Sequence, residues 1–392
     1  MQHSSEERVV GRGLARSFRR SIACATLRRA SMAALVAAVA GAYAQSRDTV
    51  VEAQLAPQAI KAQVRRALGP TPLPASARIA QARTLLEASR ASSDPRLLGY
   101  AEATLAGLNE ADALVLRATI EQGRHRFDAA RALLDRVLLE QPMHLQARLT
   151  RATIAQVRGD LASARQDCVV IAQQEPVVAA ICVAAVDGLS GRHEQALAVL
   201  EAMAARGPSA LRAWALSLAG EVHERRGAPE AAVRAYSRSL ALGEDPYTRV
   251  ALADAWLALE QPARAQAALA DAPASDAVLL RRWRIARRLG EDDAQLAAQL
   301  TERFAAAAAR GELLHAREAG WFALERGEAA QALRLARENW AAQREPADAL
   351  LLAAAARAAR DAAAAAEVRA WLARTGLRDV RIERLVADNA AT

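Results

Sequence analysis

The sequence predicts an all-α protein built from stacked antiparallel helix pairs, and three observations lead to this fold class. Only 4% of the 392 residues are aromatic while 53% are hydrophobic, and clusters of β-branched residues are few, which favours helices over strands. From Ala75 onward, apolar residues recur with helical spacing between short turns that contain Gly, Pro or Asp. The same turn then returns along the chain with a period of about 34 residues, which is typical of a repeat protein.

The repeated turn is marked by Gly159, Gly191, Gly227, Gly290 and Gly327, with Glu260 near the middle of the longest interval. Around Gly159, Gly191, Gly227, Glu260 and Gly327, small residues stand seven positions before and five after: Ala152, Ala184, Gly220, Ala253 and Gly320 before, and Ala164, Ala196, Ala232, Ala265 and Ala332 after. Nine positions after the turn stand Cys168, Leu200, Tyr236, Leu269 and Ala336. Helices approach closely only across small side chains, and Gly permits the tight turn between them. Because one helix pair cannot bury its own apolar face, the pairs must stack.

This pattern resembles the tetratricopeptide repeat family, most clearly in "RATIAQVRGDLASARQDCVVIAQQEP" and "EAGWFALERGEAAQALRLARENW". The resemblance covers about residues 111–346 and implies an α-solenoid that forms a right-handed superhelix. Two places depart from the family. The first copy reads "QGRHRFDAA", with Gly123 seven residues before Ala130, and Gly290 is followed by a longer second helix that ends near Arg310.

The predicted solenoid extends over residues 75–392, with a degenerate last unit and a capping helix in 347–392. Its unit boundaries are least defined in 275–312. Residues 45–74 are predicted to form a linker with one short helix around 57–68, because the prolines of "GPTPLPAS" cannot lie inside a helix.

The first 44 residues have the order of a secretory signal peptide: seven arginines, an uncharged apolar run, and small residues at Ala42 and Ala44. The apolar run is shorter than the ~20 residues of a membrane-spanning helix. We therefore expect export to the periplasm with cleavage after Ala44 and no membrane span in the mature chain; retention of the leader as an anchor is the alternative. The segments around Arg19 and Cys24 fit twin-arginine export and lipidation poorly.

Charge and motifs argue against several classes of function. The leader carries +5 of the net charge of +8, and the rest of the chain shows no basic stripe with interleaved aromatic residues, so nucleic acid is not an expected partner. His193 and His223 each precede a Glu but lack a second His four residues on, so no metal site is predicted. We also predict no catalytic residue, no cofactor and no small-molecule substrate, because no phosphate-binding loop and no clustered acid, base or nucleophile is found.

Two cysteines lie in the predicted solenoid, Cys168 and Cys182, each seven residues from Glu175 in the connection between two units. Equal distances from the connection place them opposite one another, and an exported protein meets an oxidising compartment, so one interpretation is a disulfide. The alternative is a pair of small buried residues in a helix interface.

With no catalytic residue predicted, the resemblance implies a non-catalytic scaffold that binds a protein or peptide partner. The alternative is an accessory or assembly factor of a cell-envelope complex whose catalytic activity lies in another subunit. The resemblance also places the first helix of each unit on the concave face, and the outer stripe of these helices gives Gln146, Thr153, Gln156, Trp214, Ser217, Glu221, Tyr247, Asp254, Arg317 and Trp321. Glu221 and Asp254 would repel a terminal carboxylate, so we expect an internal or basic segment anchored by Trp214. For the tryptophans, packing between helices is the alternative.

Overall fold

The computed structural model describes residues 73–92, 94–309 and 316–387, and within them every regular element is an α-helix. The predicted signal peptide, and all of the predicted linker except its last two residues, lie outside this part of the chain. The all-α solenoid predicted from the repeat pattern is confirmed, because the described helices pack as antiparallel pairs and each pair packs against the next.

The described helices follow one another as pairs joined by short turns. The first five pairs are α1 (Ala75–Ser92) with α2 (Arg96–Thr104), α3 (Ala111–Gly123) with α4 (Phe127–Glu140), α5 (Leu145–Val157) with α6 (Leu161–Ile171), α7 (Pro176–Leu189) with α8 (His193–Ala204), and α9 (Ser209–Arg225) with α10 (Pro229–Leu240). The next four are α11 (Pro246–Ala258) with α12 (Pro262–Ala268), α13 (Asp276–Leu289) with α14 (Ala294–Ala309), α15 (Ala316–Glu325) with α16 (Ala329–Ala342), and α17 (Pro346–Ala359) with α18 (Ala362–Thr375). A single helix, α19 (Val380–Ala387), follows them.

The predicted small residues form the seam inside each pair, and all ten of them are buried. At Gly220 the small residue is obligatory, because a Cβ there would overlap the buried ring of Tyr236 on the facing helix. The structure extends the same spacing to two further pairs, in which the fully buried seam residues are Ala118 and Ala130 of α3 and α4, and Ala353 and Ala365 of α17 and α18. Close packing of two backbones is therefore the common feature of these units.

The turn between paired helices needs a left-handed backbone. All five predicted turn glycines have positive φ, from 71° to 83°. In three other pairs the same position is held by His125, Glu260 and Arg360, with φ of 55–57°. The first copy therefore keeps the repeat spacing, since Gly123 ends α3 and His125, five residues before Ala130, takes the turn.

The pair α13 and α14 departs from the repeat, as the pattern predicted for residues 275–312. Gly290 takes the left-handed conformation, but Trp283 stands seven residues before it and the exposed Gln295 five after it. Trp283 is buried edge-on against Phe322, with ring centroids 4.8 Å apart. Its helix pair is held by large side chains such as Leu300 in place of a small-residue seam.

The C-terminal end of the solenoid folds back onto the turns of three middle units. We call residues 371–387 the C-terminal cap. Three turn glycines face it: a Cβ would lie 3.1 Å from Trp371 Nε1 at Gly159, 2.5 Å from the Gly376 carbonyl at Gly191, and 2.8 Å from Val380 Cγ2 at Gly227. The described helices thus close into a ring, and their first helices surround a central cavity.

Polar contacts fasten the same closure. The backbone N–H of Arg344 donates to the carbonyl of Val157 over 2.7 Å. The Gln343 side chain lies 2.5 Å from His125 Nδ1, although the two residues are 218 positions apart in the chain. The α16–α17 connection is therefore tied to the turns of the second and third pairs.

Candidate functional site

The central cavity has a volume of about 390 Å³ and is lined by first helices of successive units. Helices α9, α11, α13, α15 and α17 supply most of its wall, while Arg90 of α1 and Arg381 of α19 complete it. A cavity of this size falls within the ~300–1,000 Å³ range of ligand sites. The predicted use of first helices for the concave face thus agrees with the geometry of the wall.

Acidic residues of α9 and α11 on this wall are engaged by neighbouring groups. Glu221 accepts a hydrogen bond from the Tyr247 hydroxyl over 2.6 Å and lies 3.4 Å from Arg225 Nη1. Asp254 accepts from Arg281 Nη2 over 2.8 Å. Their charges are offset inside the cavity, which removes the reason for expecting a basic partner segment.

Helix α13 contributes three arginines to the wall, Arg281, Arg284 and Arg288. Arg284 Nε lies 2.5 Å from Glu325, and its guanidinium carbon lies 5.1 Å from the Trp321 ring centroid. Burial lowers the pKa of Arg284, and the charges of Arg281 and Arg288 lower it further, against the opposing effect of Glu325. The cavity therefore holds a cation whose burial is incompletely offset by its neighbours.

Two buried side chains of the wall have a polar atom without a hydrogen-bond partner among the described residues. They are Arg225, 4% exposed, through Nε, and Glu318, 3% exposed, through Oε2. Glu318 Oε1 lies 3.5 Å from Arg281. Both atoms are enclosed by protein, so the wall contains a buried donor and a buried acceptor that the described residues do not pair.

Half of the residues predicted for the concave face line this cavity: Glu221, Tyr247, Asp254, Arg317 and Trp321. Arg317 differs from the others because its guanidinium is occupied by protein groups. It donates to Asp348 over 2.6 Å, to Gln343 over 2.8 Å and to Glu345 over 2.9 Å. These contacts give Arg317 a structural position at the α16–α17 connection.

The other predicted residues lie elsewhere. Thr153 and Gln156 line a small adjoining cleft that shares Glu221 with the central cavity. Gln146 donates to Thr150 along its own helix, and Ser217 is hydrogen-bonded to Thr248 at 2.9 Å. The structure therefore separates the predicted set into a cavity group, a cleft group and residues engaged in helix contacts.

Trp214 is 5% exposed and belongs to the largest buried cluster of the middle units. It lines neither the cavity nor the cleft. The alternative stated for the tryptophans, packing between helices, describes its position, and an anchoring role for Trp214 is not supported by this geometry. Trp321, by contrast, is partly exposed and lines the cavity.

The α13 arginines were not among the predicted residues. Their positions 281, 284 and 288 follow the i, i+3, i+7 spacing that places side chains on one helix face. That spacing was readable in "DAVLLRRWRIARRL", but the repeat register is broken at this unit, so the sequence did not show which face meets the cavity.

The structure contains a disulfide between Cys168 of α6 and Cys182 of α7, with Cα atoms 5.4 Å apart. Both residues are buried in the same cluster. The disulfide interpretation therefore describes the pair. The cysteines also lie buried in a helix interface, which is the position that the alternative predicted.

Residues 73–92, 94–309 and 316–387 contain neither a metal-binding cluster nor a membrane-spanning helix. No group of three or more His, Cys, Asp or Glu residues there could hold a metal ion. None of the helices in that part of the chain combines the length and apolar character needed to cross a membrane.

Searches with the sequence find no matching family model and no matching curated protein. Among solved structures, the chain is similar to a tetratricopeptide repeat protein of Thermus thermophilus, at 23% identity over 46% of this chain and 99% of that chain, with a TM-score of 0.40. It is similar to the APC/C Cut9–Hcn1 hetero-tetramer at 15% identity, 80% and 63% coverage and a TM-score of 0.51. A Rap protein complexed with Competence and Sporulation Factor gives 14% identity, 85% and 93% coverage and 0.46.

The fold and its ring of first helices define the chain as an α-solenoid protein. The repeat spacing, the small-residue seam and the left-handed turns give it the fold of the tetratricopeptide repeat solenoids to which it is similar.

Proposed function

We propose that the chain is a non-catalytic scaffold that binds a peptide or protein segment in the central cavity. The central cavity itself carries this proposal, because it is lined by first helices of successive units and presents the rings of Tyr247 and Trp321. Concave sites with apolar, aromatic and a few polar groups are where proteins bind ligands.

The rest of the wall supports the same ligand class. Apolar side chains of Val250, Leu257 and Leu350 line the cavity together with the amphipathic rings of Tyr247 and Trp321. Aromatic residues that are accessible in a cavity give large contact areas at little conformational cost. A segment with apolar and polar side chains would therefore find contacts for both.

We further propose that the scaffold works after export to the periplasm. Two observations support this location: the order of charged leader, apolar run and small residues up to Ala44, and the Cys168–Cys182 disulfide. Intact-mass analysis of the protein from the periplasmic fraction should give a chain that begins at Gln45. A retained leader, or recovery from the cytosol alone, would contradict export.

Site-specific crosslinking tests the binding proposal. A photoreactive amino acid is placed at Tyr247, which lines the cavity, and in a second variant at Leu139, which is 83% exposed on α4 and distant from it. The full chain is expressed in its own cells and irradiated. We expect crosslinks to a partner segment from position 247, and none to the same segment from position 139.

The outcomes separate the alternatives. Crosslinks from position 247 to one subunit of a stable complex would favour the accessory or assembly role. Equal labelling from both positions, or none from position 247 while the circular dichroism of the variant is unchanged, would show that the cavity is not the binding site.

A further inference from the structure

The chemistry of the partner segment can be inferred from the charges of the cavity, and the inference rests on the proposed function. We call Arg281, Arg284 and Arg288 the arginine ladder. All three line the cavity from α13. Two other arginines of the same helix face elsewhere: Arg282 donates to the carbonyls of Leu269 and Ala272, and Arg287 lies over the Trp283 ring. The helix thus concentrates cations on its cavity side.

The acidic residues of the wall are already committed to other groups of the protein. Glu221 is engaged by Tyr247 and Arg225, Glu224 by Arg381, Asp245 by Thr248, Asp254 by Arg281, and Glu325 by Arg284. Glu318 contacts Arg281 through one oxygen. A cationic ligand would have to compete with these contacts.

The arginine ladder is only partly neutralised by these contacts: Arg281 is paired with Asp254 and Arg284 with Glu325, and the members of the ladder also repel one another. Arg281 and Arg288 both lower the pKa of Arg284, whose burial is the largest cause of the lowering. Arg288 is exposed at the end of the ladder and forms no ion pair with any described residue. An anion between Arg284 and Arg288 would relieve this repulsion and would meet two guanidinium groups at once.

A second buried cation of the wall is Arg90 of α1. Burial lowers the pKa of Arg90 to about 10, against the raising effects of Glu87 and Asp245. The wall as a whole has seven arginines and six carboxylates, so its own acidic residues do not outnumber its cations.

We propose that the partner segment presents an Asp or Glu carboxylate to the arginine ladder, between Arg284 and Arg288. A carboxylate matches the planar guanidinium fork in two parallel hydrogen bonds. The neighbouring Trp321 ring limits the site on one side, since it lies against Arg284. The ladder thus selects an acidic side chain.

A degenerate library of capped octapeptides tests the proposal without knowledge of the natural partner. The full-length protein is immobilised, the library is passed over it, and the composition of the retained peptides is compared with the input. We expect Asp and Glu to be enriched about threefold, the scale of one partly exposed ion pair. Capping removes the terminal charges, so enrichment reports side chains alone.

Charge reversal on adjacent residues provides the matched control. Arg288→Glu should abolish the acidic enrichment and enrich Lys and Arg, because Arg288 lines the cavity. Arg287→Glu changes the net charge equally but alters a residue outside it, so the acidic enrichment should persist. Circular dichroism confirms that both variants remain folded.

Three results would overturn the proposal: retained peptides enriched in Lys or Arg with the unaltered protein, equal responses of the two variants, or no retained peptide. Preference for phosphoserine over Glu in a second library would also overturn it, in favour of a phosphate ligand. The crosslinking at Tyr247 is independent of this choice, so a partner crosslinked there while the library shows no acidic preference would leave the scaffold function standing and the carboxylate inference wrong.

Discussion

The third to sixth helix pairs and the α13–α14 pair solve the same packing problem in different ways. From α5 to α12, paired helices meet across buried alanines and glycines, and each turn has a left-handed residue. In α13 and α14 the left-handed Gly290 remains, but Trp283 and Leu300 fill the contact and Gln295 is exposed. One turn conformation therefore serves two kinds of helix contact.

The difference coincides with a change in what each region contributes to the cavity. The α13 helix presents the arginine ladder, and α15 supplies the buried Arg317, which binds Glu345 of the α16–α17 connection and Asp348 of α17. Departures from a repeat pattern are expected where function or a special contact requires them. The region that loses the seam thus supplies three of the seven arginines that line the cavity.

The largest expected effect concerns the buried ion pairs after α13. Arg317→Ala would leave the carboxylates of Asp348 and Glu345 buried without their shared cation. Removal of one partner from such a group destabilises by ~3–5 kcal/mol. We expect the urea midpoint, followed by circular dichroism, to fall sharply. Arg334→Ala, which breaks an exposed pair with Glu338 on α16, should change it little; equal shifts would mean that Arg317 is not a structural centre.

A smaller effect should distinguish the two kinds of helix contact directly. Ala232 and Gln295 both stand five residues after a turn glycine, but Ala232 is fully buried and Gln295 is exposed. Ala232→Leu should destabilise by ~1–3 kcal/mol through overpacking. Gln295→Leu should stay within ~0.5 kcal/mol, as for surface substitutions. If both melt alike by circular dichroism, the contrast between the regions is wrong.

The same contrast explains how much the sequence could predict. Small side chains at fixed distances from Gly159 or Gly227 have few uses other than a close helix contact, so the regular fold was predictable. The first turn was harder to locate, because His125 takes a conformation for which Gly123 seemed the better candidate. Polar residues such as His adopt it more readily than β-branched ones.

The cavity was predictable only in part. Tyr247 and Trp321 follow from the rule that first helices face inward, but Trp214 obeys the same rule and is buried. The closure of the ring depends on small rotations that accumulate from unit to unit. No local pattern shows that Gly376 will meet Gly191. Nor does one show that Gln343 will meet His125.

The closure can be tested by comparing equivalent turns in the two regions. Gly191 and Gly327 both have positive φ, so Ala at either position adds backbone strain of ~1 kcal/mol. At Gly191 the new Cβ would also lie 2.5 Å from the Gly376 carbonyl, whereas at Gly327 it would meet nothing within 4 Å. Gly191→Ala should therefore lose ~1 kcal/mol more than Gly327→Ala in urea unfolding. Identical losses would indicate that the C-terminal cap does not rest on this turn.

The smallest expected effect is a pH dependence at the same closure. Burial lowers the pKa of His193, and the charges of Arg225 and Arg226 lower it further. In the C-terminal cap, Asp379 raises this pKa and Arg378 lowers it. His193 is therefore held neutral in the folded chain, while the unfolded chain takes up a proton near the ordinary pKa of about 6.5. Stability from this histidine is present above that pH and decreases as the pH falls toward the folded pKa.

The expected result is a melting temperature that falls between about pH 7.5 and pH 5.5, and falls less in His193→Gln. A residual dependence should remain in the variant, because burial also lowers the pKa of His223. His223→Gln is the matched control, since His223 lies on α9 of the same region. If His193→Gln leaves the pH dependence unchanged while His223→Gln removes it, protonation at the closure has no part in stability, and the acid sensitivity belongs to the helix pair α9 and α10.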